Sequence, residues 1–198
     1  EPRFGGILTT PAVAYLTRAE NCDAGLVVSA SHNPFDENGV KIFSRDGFKL
    51  SDAEEHAIEE SLGVEELRVK ELTLNSPTLN LPTLSLPVES RFLEDYVSFL
   101  AASVRFPKGH DTPVVLDCAN GAATVAAPRA FERLGFRVHL LSASPNGRNI
   151  NENCGALHPE AMAREAVSQG ARLGVAFDGD ADRAIFAGPA GKIFDGDD

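Results

Sequence analysis

Leu173-Gly174-Val175-Ala176-Phe177-Asp178-Gly179-Asp180-Ala181-Asp182-Arg183 runs from an apolar stretch straight into three carboxylates at alternate positions. Residues 173–177 have the length and composition of a buried strand. The same grammar precedes them: residues 114–116 and 138–141 read as strands, and residues 122–134 and 159–169 as helices between the strands. This β-α-β-α-β alternation predicts a parallel sheet with helices packed on it. Open sheets of that kind place ligands beyond the carboxyl ends of their strands. Asp178, Asp180 and Asp182 fall in that place.

Three carboxylates on one short loop beside an apolar strand repel one another unless a cation sits among them. Oxygen-only ligands select a hard ion, and a few carboxylates completed by phosphate oxygens suit Mg²⁺. Two rival loops fail on spacing. A calcium-binding EF-hand starting at Asp178 requires Gly at position 183 and Glu at position 189, where the chain has Arg183 and Pro189. A strand-end Asp-x-Asp phosphatase loop wants Thr or Ser where Asp182 stands.

The rest of the chain narrows the class. Its 198 residues, 43% of them hydrophobic, suffice for one large domain or two small ones. Lys and Arg number 18 against 29 Asp and Glu, a net charge of −11, with no basic run. Nucleic-acid binding draws most of its affinity from neutralised phosphates, so this balance argues against it. No window has the length of a membrane span, so no membrane partner is expected. Cys22, Cys118 and Cys154 are odd in number and widely spaced, which fits free thiols in a reducing cytoplasm. The chain opens at Glu1-Pro2 without Met and stops at Asp197-Asp198; both ends read as cuts within a longer protein.

Upstream of residue 89 the signals are shorter. Thr10-Pro11 predicts a helix start with Thr10 as its cap. Leu26-Val27-Val28 reads as a buried strand, ended by Ser29-Ala30-Ser31-His32-Asn33-Pro34. Residues 40–43 and 48–50 suggest a hairpin around Asp46-Gly47. Ser51 and Glu54 form a capping box. Residues 73–88, with Pro77, Pro82 and Pro87, read as an extended linker with at most an edge strand. Beyond it, Phe92, Leu93, Tyr96, Val97 and Leu100 recur at helical spacing.

A serine at the end of a buried strand is a candidate nucleophile or phosphate carrier. Ser31 lacks the Gly-x-Ser-x-Gly elbow of the α/β-hydrolases, and no His/Asp pair with a recognisable pattern completes a protease triad. Taken by itself the segment is compatible with an ordinary loop, His32 with a hydrogen-bonded structural histidine, and Lys41 with a solvated strand lysine. A phosphate on Ser31 would supply the missing metal ligand and account for three Asp on another loop, and a lysine with a lowered pKa beside it could exchange protons. These residues alone do not choose between the readings.

Together, Ser29-Ala30-Ser31-His32-Asn33-Pro34 with Asn38-Gly39-Val40-Lys41, and Asp178-Gly179-Asp180-Ala181-Asp182-Arg183, resemble the phosphoserine loop and metal loop of the α-D-phosphohexomutases. The likeness runs through the chain except residues 73–88. Residues 10–17, 145–151, Cys154-Gly155 and His158-Pro159-Glu160 are similar to the bacterial branch of that family that acts on glucosamine phosphate. The resemblance implies two three-layer α/β domains with mixed or parallel sheets. Residues 1–88 would be the C-terminal part of the first, incomplete, domain and residues 89–198 the second, ending in the metal loop. It implies an intramolecular phosphotransferase that interconverts glucosamine 6-phosphate and glucosamine 1-phosphate through a phosphoserine enzyme and a bisphosphate intermediate. A relative acting on mannose or glucose phosphates, or a binding module without turnover, is the alternative. Its small-molecule partners would be a hexose phosphate and a hexose bisphosphate. Ser31 would carry the phosphoryl group and, with Asp178, Asp180 and Asp182, hold Mg²⁺. Lys41 would act as general acid/base with His32 close by, and Arg183 would steady phosphoryl oxygens. The family's N-terminal strand motif, sugar-recognition loop and C-terminal phosphate-clamping domain are not in these residues, so the piece is expected to lack turnover by itself. Ala181 stands where this branch usually has Gly, and a positive φ there would be strained.

Overall fold

The computed structural model describes residues 1–61, 86–105 and 111–196. In chain order the elements are α1 (Thr10–Ala19), β1 (Ala24–Ser29), β2 (Gly39–Ser44), α2 (Asp52–Ser61), α3 (Arg91–Ser103), β3 (Thr112–Asp117), α4 (Ala123–Arg133) and β4 (Phe136–Leu141). A 3₁₀ turn at Gly155–Leu157 precedes α5 (Glu160–Ser168), β5 (Leu173–Phe177), β6 (Ala184–Ala187) and β7 (Ile193–Phe194).

The sheet of the second part has the order β4-β3-β5-β6-β7. Its centre is β3, whose Val114, Val115 and Leu116 are wholly buried because neighbours lie on both edges and both faces. Val114, Leu116 and Val175 meet Ala123 and Ala127 of α4 on one face. Val115 and Ala176 meet Met162, Ala163 and Ala166 of α5 on the other. Alanines on the inner helix faces let both helices lie close to the sheet, giving the three layers that the alternation predicts.

The sheet carries strands beyond the predicted alternation. β3, β4 and β5 are parallel, but β6 returns antiparallel to β5 and pairs with β7, so the sheet is mixed. The Asp loop is therefore the tip of a hairpin and not the start of a crossover helix. Apolar residues 184–187 form too short a run to announce a strand before the turn is known.

The first part contributes a two-stranded antiparallel sheet, β1-β2, with α1 on one face. Val27 is buried, but Leu26 is 64% and Val28 72% exposed, contrary to the expected buried strand. The reason is that β1 pairs with β2 alone among the described residues and α1 covers one face, so alternate side chains point outward. The hairpin after β2 forms as expected, with Ser44 N–H donating to Phe48 O at 2.8 Å and Leu50 N–H to Ile42 O at 2.9 Å. The capping box also forms: Ser51 N–H donates to Glu54 Oε2 at 2.9 Å, and Glu54 N–H to Ser51 Oγ at 3.4 Å. The cap of α1 is Thr9, which accepts from Ala12 N–H at 3.3 Å, and not Thr10 as its sequence position suggested.

Residues 73–85 of the proposed linker lie outside the described residues, while Val88 bridges Phe4 in parallel. The two parts meet along α1, α3 and α4, where Ala12, Tyr96 and Ala126 share a buried cluster. Tyr15 stacks on Phe99 with ring centroids 4.0 Å apart. Around that seam Arg3 donates to Glu89 and Glu20, and Arg91 donates to Glu20 at 2.6 Å. No helix among the described residues is long and apolar enough to cross a membrane.

Hydrogen bonds from Arg91 and then Arg3 hold the Glu20 carboxyl near 2, against its ordinary 4.5. The folded state thus favours the ionised form, so Glu20's contribution is complete above about pH 4.5 and fades as the pH falls through about 2. Thermal midpoints followed from about pH 5 to about pH 2 should fall more steeply in the wild type than in Glu20→Gln. Parallel curves would show that the arginines do not select the ionised carboxyl.

Candidate functional site

β1 ends at Ser29, whose Oγ accepts the Ser31 N–H at 2.8 Å. Asn33 N–H closes a turn onto Ala30 O at 2.9 Å, and Ser31 sits in the left-handed region at φ 55. The antiparallel register sets Val27 opposite Lys41. Strand alternation then puts Lys41 on the same side as the buried Phe43, towards α1, and not out in solvent.

The Asp hairpin meets this loop edge-on. Gly179 N–H donates to Ser31 O at 3.1 Å, and Gly179 O accepts from Ala122 N–H at 2.8 Å. Both faces of this residue are occupied. A Cβ on Gly179 would stand 2.5 Å from Ser31 O and 2.6 Å from Ile150 Cδ1, and a Cβ on Gly121 would stand 2.6 Å from Gly179 Cα. Ala181 has φ 59, so the left-handed geometry that Gly would favour is held here by an alanine.

Within this frame Lys41 Nζ donates to Asp180 Oδ2 at 2.6 Å and to Asp182 Oδ2 at 2.8 Å. Thr10 Oγ1 donates to Asp180 Oδ2 at 2.6 Å, and Thr10 N–H to Asp180 O at 2.9 Å. Ser31 Oγ lies 3.5 Å from Asp180 Oδ1, across 149 positions of sequence. Asp178 Oδ1 accepts the Arg183 N–H at 3.1 Å, while its Oδ2 is buried without a hydrogen-bond partner. His32 likewise keeps Nδ1 buried and unpartnered. The Arg183 side chain is 57% exposed, with Nε 4.0 Å from Asp182 Oδ1. The structure thus gathers Ser31, Lys41 and the three aspartates at one point and leaves the Arg183 head at its rim.

Burial pushes the Asp178 carboxyl up, the Arg183 N–H opposes this, and the charges of Asp180 and Asp182 add to the rise. Burial also acts on Asp180, but its bonds from Lys41 and Thr10 prevail and its pKa is lowered. For Lys41, burial pulls downward and is outweighed by Asp180 and Asp182, so the ammonium is favoured. This is opposite to the lowered pKa expected of a proton-exchanging lysine: the two carboxylates in contact favour the charged form of Lys41.

Asp178, Asp180 and Asp182 each offer an oxygen, and these atoms lie within 4.8 Å of one another. An all-oxygen set containing a buried carboxylate oxygen with nothing to bind fits a hard divalent cation.

Four contributors were not picked out from sequence. Thr10 looked like a helix cap. Gly121 carries no chemistry of its own. Asp117 ends β3 fully buried, with Oδ1 accepting from Ala119 N–H and Oδ2 from Gly155 N–H, both at 3.0 Å. An acid closing an apolar strand was the available signal. Asn151 donates through Nδ2 to Ser31 O and to Asn33 O, each at 2.9 Å.

Residues 2–68 match the family model described as phosphoglucomutase/phosphomannomutase, alpha/beta/alpha domain I, and residues 94–191 match domain II of the same family. The chain belongs to the phosphoglucomutase/phosphomannomutase family. Among curated relatives, a phosphoglucosamine mutase of Solibacter usitatus is 47% identical over 197 residues, covering 98% of this chain and 42% of that protein. One from Geobacter sp. is 46% identical over 195 residues, covering 97% and 41%. The chain therefore spans about two fifths of the length of these relatives. A crystal structure of a phosphoglucomutase/phosphomannomutase family protein from Burkholderia thailandensis shares the fold at 24% identity, with a TM-score of 0.70 over 96% of this chain and 40% of that one. An N-acetylphosphoglucosamine mutase variant from Aspergillus fumigatus, solved with glucose 1,6-bisphosphate, gives 0.52 at 19% identity, over 89% and 46%. The mixed sheet between helices is thus the α/β arrangement of this family.

Gly121→Ala drives a methyl into the Gly179 backbone and should lower stability by about 1–3 kcal/mol. Gly147 has φ +83 but open space around it, so Gly147→Ala should cost about 1 kcal/mol from backbone strain alone. Urea unfolding of the two variants checks this order. A smaller loss for Gly121→Ala would mean that the two glycine loops are not in contact.

Proposed function

We propose that this chain is the serine-and-metal core of a phosphohexomutase that interconverts glucosamine 6-phosphate and glucosamine 1-phosphate. One observation carries the reading: Ser31 Oγ lies 3.5 Å from Asp180, in a cluster of three aspartates and one lysine assembled from the two ends of the chain. Residues 1–88 are read as part of the family's first domain and residues 89–198 as its second. The glucosamine choice rests on the 46–47% identity to phosphoglucosamine mutases.

In this reading Ser31 carries the phosphoryl group that is given to one sugar oxygen and recovered from another, through a hexose bisphosphate. Asp178, Asp180 and Asp182, with the phosphoryl oxygens on Ser31, are the residues that would hold Mg²⁺. Bound there, Mg²⁺ would neutralise charge on the phosphoryl oxygens during transfer. Lys41, kept as an ammonium by its two aspartates, delivers a proton to the sugar oxygen as the phosphoryl group leaves it. Arg183, largely exposed at the rim, offers a guanidinium fork to the substrate phosphate. His32 shares the Ser31 loop and steadies the same phosphate. Free Cys22, Cys118 and Cys154 suit a cytoplasmic enzyme, and the product suits cell-wall precursor synthesis.

The test uses the protein extended to the full length of its relatives. Intact-mass measurement should find one phosphoryl group on the wild type and none on Ser31→Ala. With Mg²⁺ and a hexose bisphosphate primer, glucosamine 6-phosphate should turn over faster than mannose or glucose 6-phosphate. Lys41→Met should lower kcat by about 10²–10⁴-fold. Turnover by Ser31→Ala sinks the mechanism. Preference for mannose or glucose phosphate transfers the protein to that branch, and a wild type that is never phosphorylated marks a binding module.

A further inference from the structure

We propose that Asn151 is a positioning residue for Ser31, holding the serine backbone in its left-handed conformation through a carboxamide clamp from the second part of the chain. Three observations carry this. First, Ser31 at φ 55 is a non-glycine residue in the left-handed region, where its Cβ crowds the backbone. Such a conformation persists only where the surroundings over-determine it. Second, those surroundings are visible. Ser31 N–H is taken by Ser29 Oγ at 2.8 Å, and Ser31 O accepts both Gly179 N–H at 3.1 Å and Asn151 Nδ2 at 2.9 Å. The second Nδ2 hydrogen goes to Asn33 O at 2.9 Å, so one planar amide spans the turn that carries the serine. Third, Asn151 is itself anchored. Its φ is 58, a region that Asn tolerates, and its N–H donates to Ala119 O at 2.9 Å. Buried Asp117 ties Ala119 and Gly155 together on either side of it.

The loop from 144 to 151 is built to hold this residue. Asn146 Oδ1 accepts from Arg148 and Asn149 N–H, Asn149 Nδ2 donates to Ser144 O, and Asn120 Nδ2 donates to Asn149 O. Asn146 and Asn149 make these bonds within the loop, and Asn120 reaches it from the turn before α4. Asn151 is the one whose amide leaves it to reach the serine turn. A glycine at 151 would keep the backbone and lose both bonds. An aspartate would keep the shape and set an acceptor against two carbonyls.

The experiment rests on the phosphoserine reading in one arm and is independent of it in the other. In the full-length protein, phosphoryl loading of Ser31 from a hexose 1,6-bisphosphate is followed by intact mass for wild type, Asn151→Gly and Asn151→Asp. Amide hydrogen exchange at Ser31 and Asn33 is read on the same samples. Both variants should load about 10²-fold more slowly while still folded at the assay temperature, with KM for sugar phosphate near wild type, because a misplaced attacking atom lowers kcat first. Exchange at Ser31 and Asn33 should accelerate in both. Loading at the wild-type rate, or unchanged exchange in a folded variant, overturns the clamp. If the wild type takes no phosphoryl group, the phosphoserine reading fails, and hydrogen exchange alone decides the clamp. Should one variant not fold, the other supplies both readouts.

Discussion

The backbone of Gly179 is the contact on which the site depends. Its N–H binds the carbonyl of Ser31 and its carbonyl binds the N–H of Ala122, so one peptide unit on each side joins the serine loop to the turn that opens α4. No side chain fits there, since a Cβ would strike Ser31 O on one side and Ile150 beside it. Backbone hydrogen bonds in a buried place tolerate little displacement, because an unmet donor or acceptor costs about 1–3 kcal/mol. The position of Ser31 relative to the aspartates thus follows from main-chain geometry, and the side chains act within it.

Charge is the second constraint. Asp178 and Asp180 are almost fully buried beside each other in a chain that is already strongly acidic. Lys41 balances two of the three carboxylates, and Thr10 adds a hydroxyl donor to Asp180. Asp178 Oδ2 receives nothing from the protein. A site with more carboxylate than the protein neutralises is suited to a hard cation and, beyond it, to an anionic ligand. In a chain of net charge −11, a cation held at this one point is the means by which an anion could be drawn in locally.

Packing explains why the two ends of the chain can share such a point. Small residues line the inner face of α4, so α3 and α1 stack beyond it through Ala12, Tyr96 and Ala126. The N-terminal end of α1 then comes within reach of the Asp hairpin, and Thr10 makes both a main-chain and a side-chain bond to Asp180. The serine turn, β2 and the hairpin are drawn to one side of the sheet, at the carboxyl ends of β3 and β5. That is where open sheets leave room for ligands.

Residue pattern by itself determined the alternation of strands and helices, the central parallel strands and the acidic loop that follows β5. Apolar runs and their spacing are local signals, and each of these elements is fixed by neighbours close in sequence. Residues 173–177 were legible as a strand from their composition alone. The hairpin return through β6, the exposure of Leu26 and Val28, and the capping of α1 by Thr9 were not. Each depends on which faces are covered by partners far away in the chain. Tertiary structure likewise decided the work of Thr10, Gly121 and Asn151, whose identities are ordinary in turns and caps. It also decided the direction in which Lys41 is pushed, towards the ammonium, because a lysine's proton affinity is set by the charges that folding brings against it and not by its place in the chain.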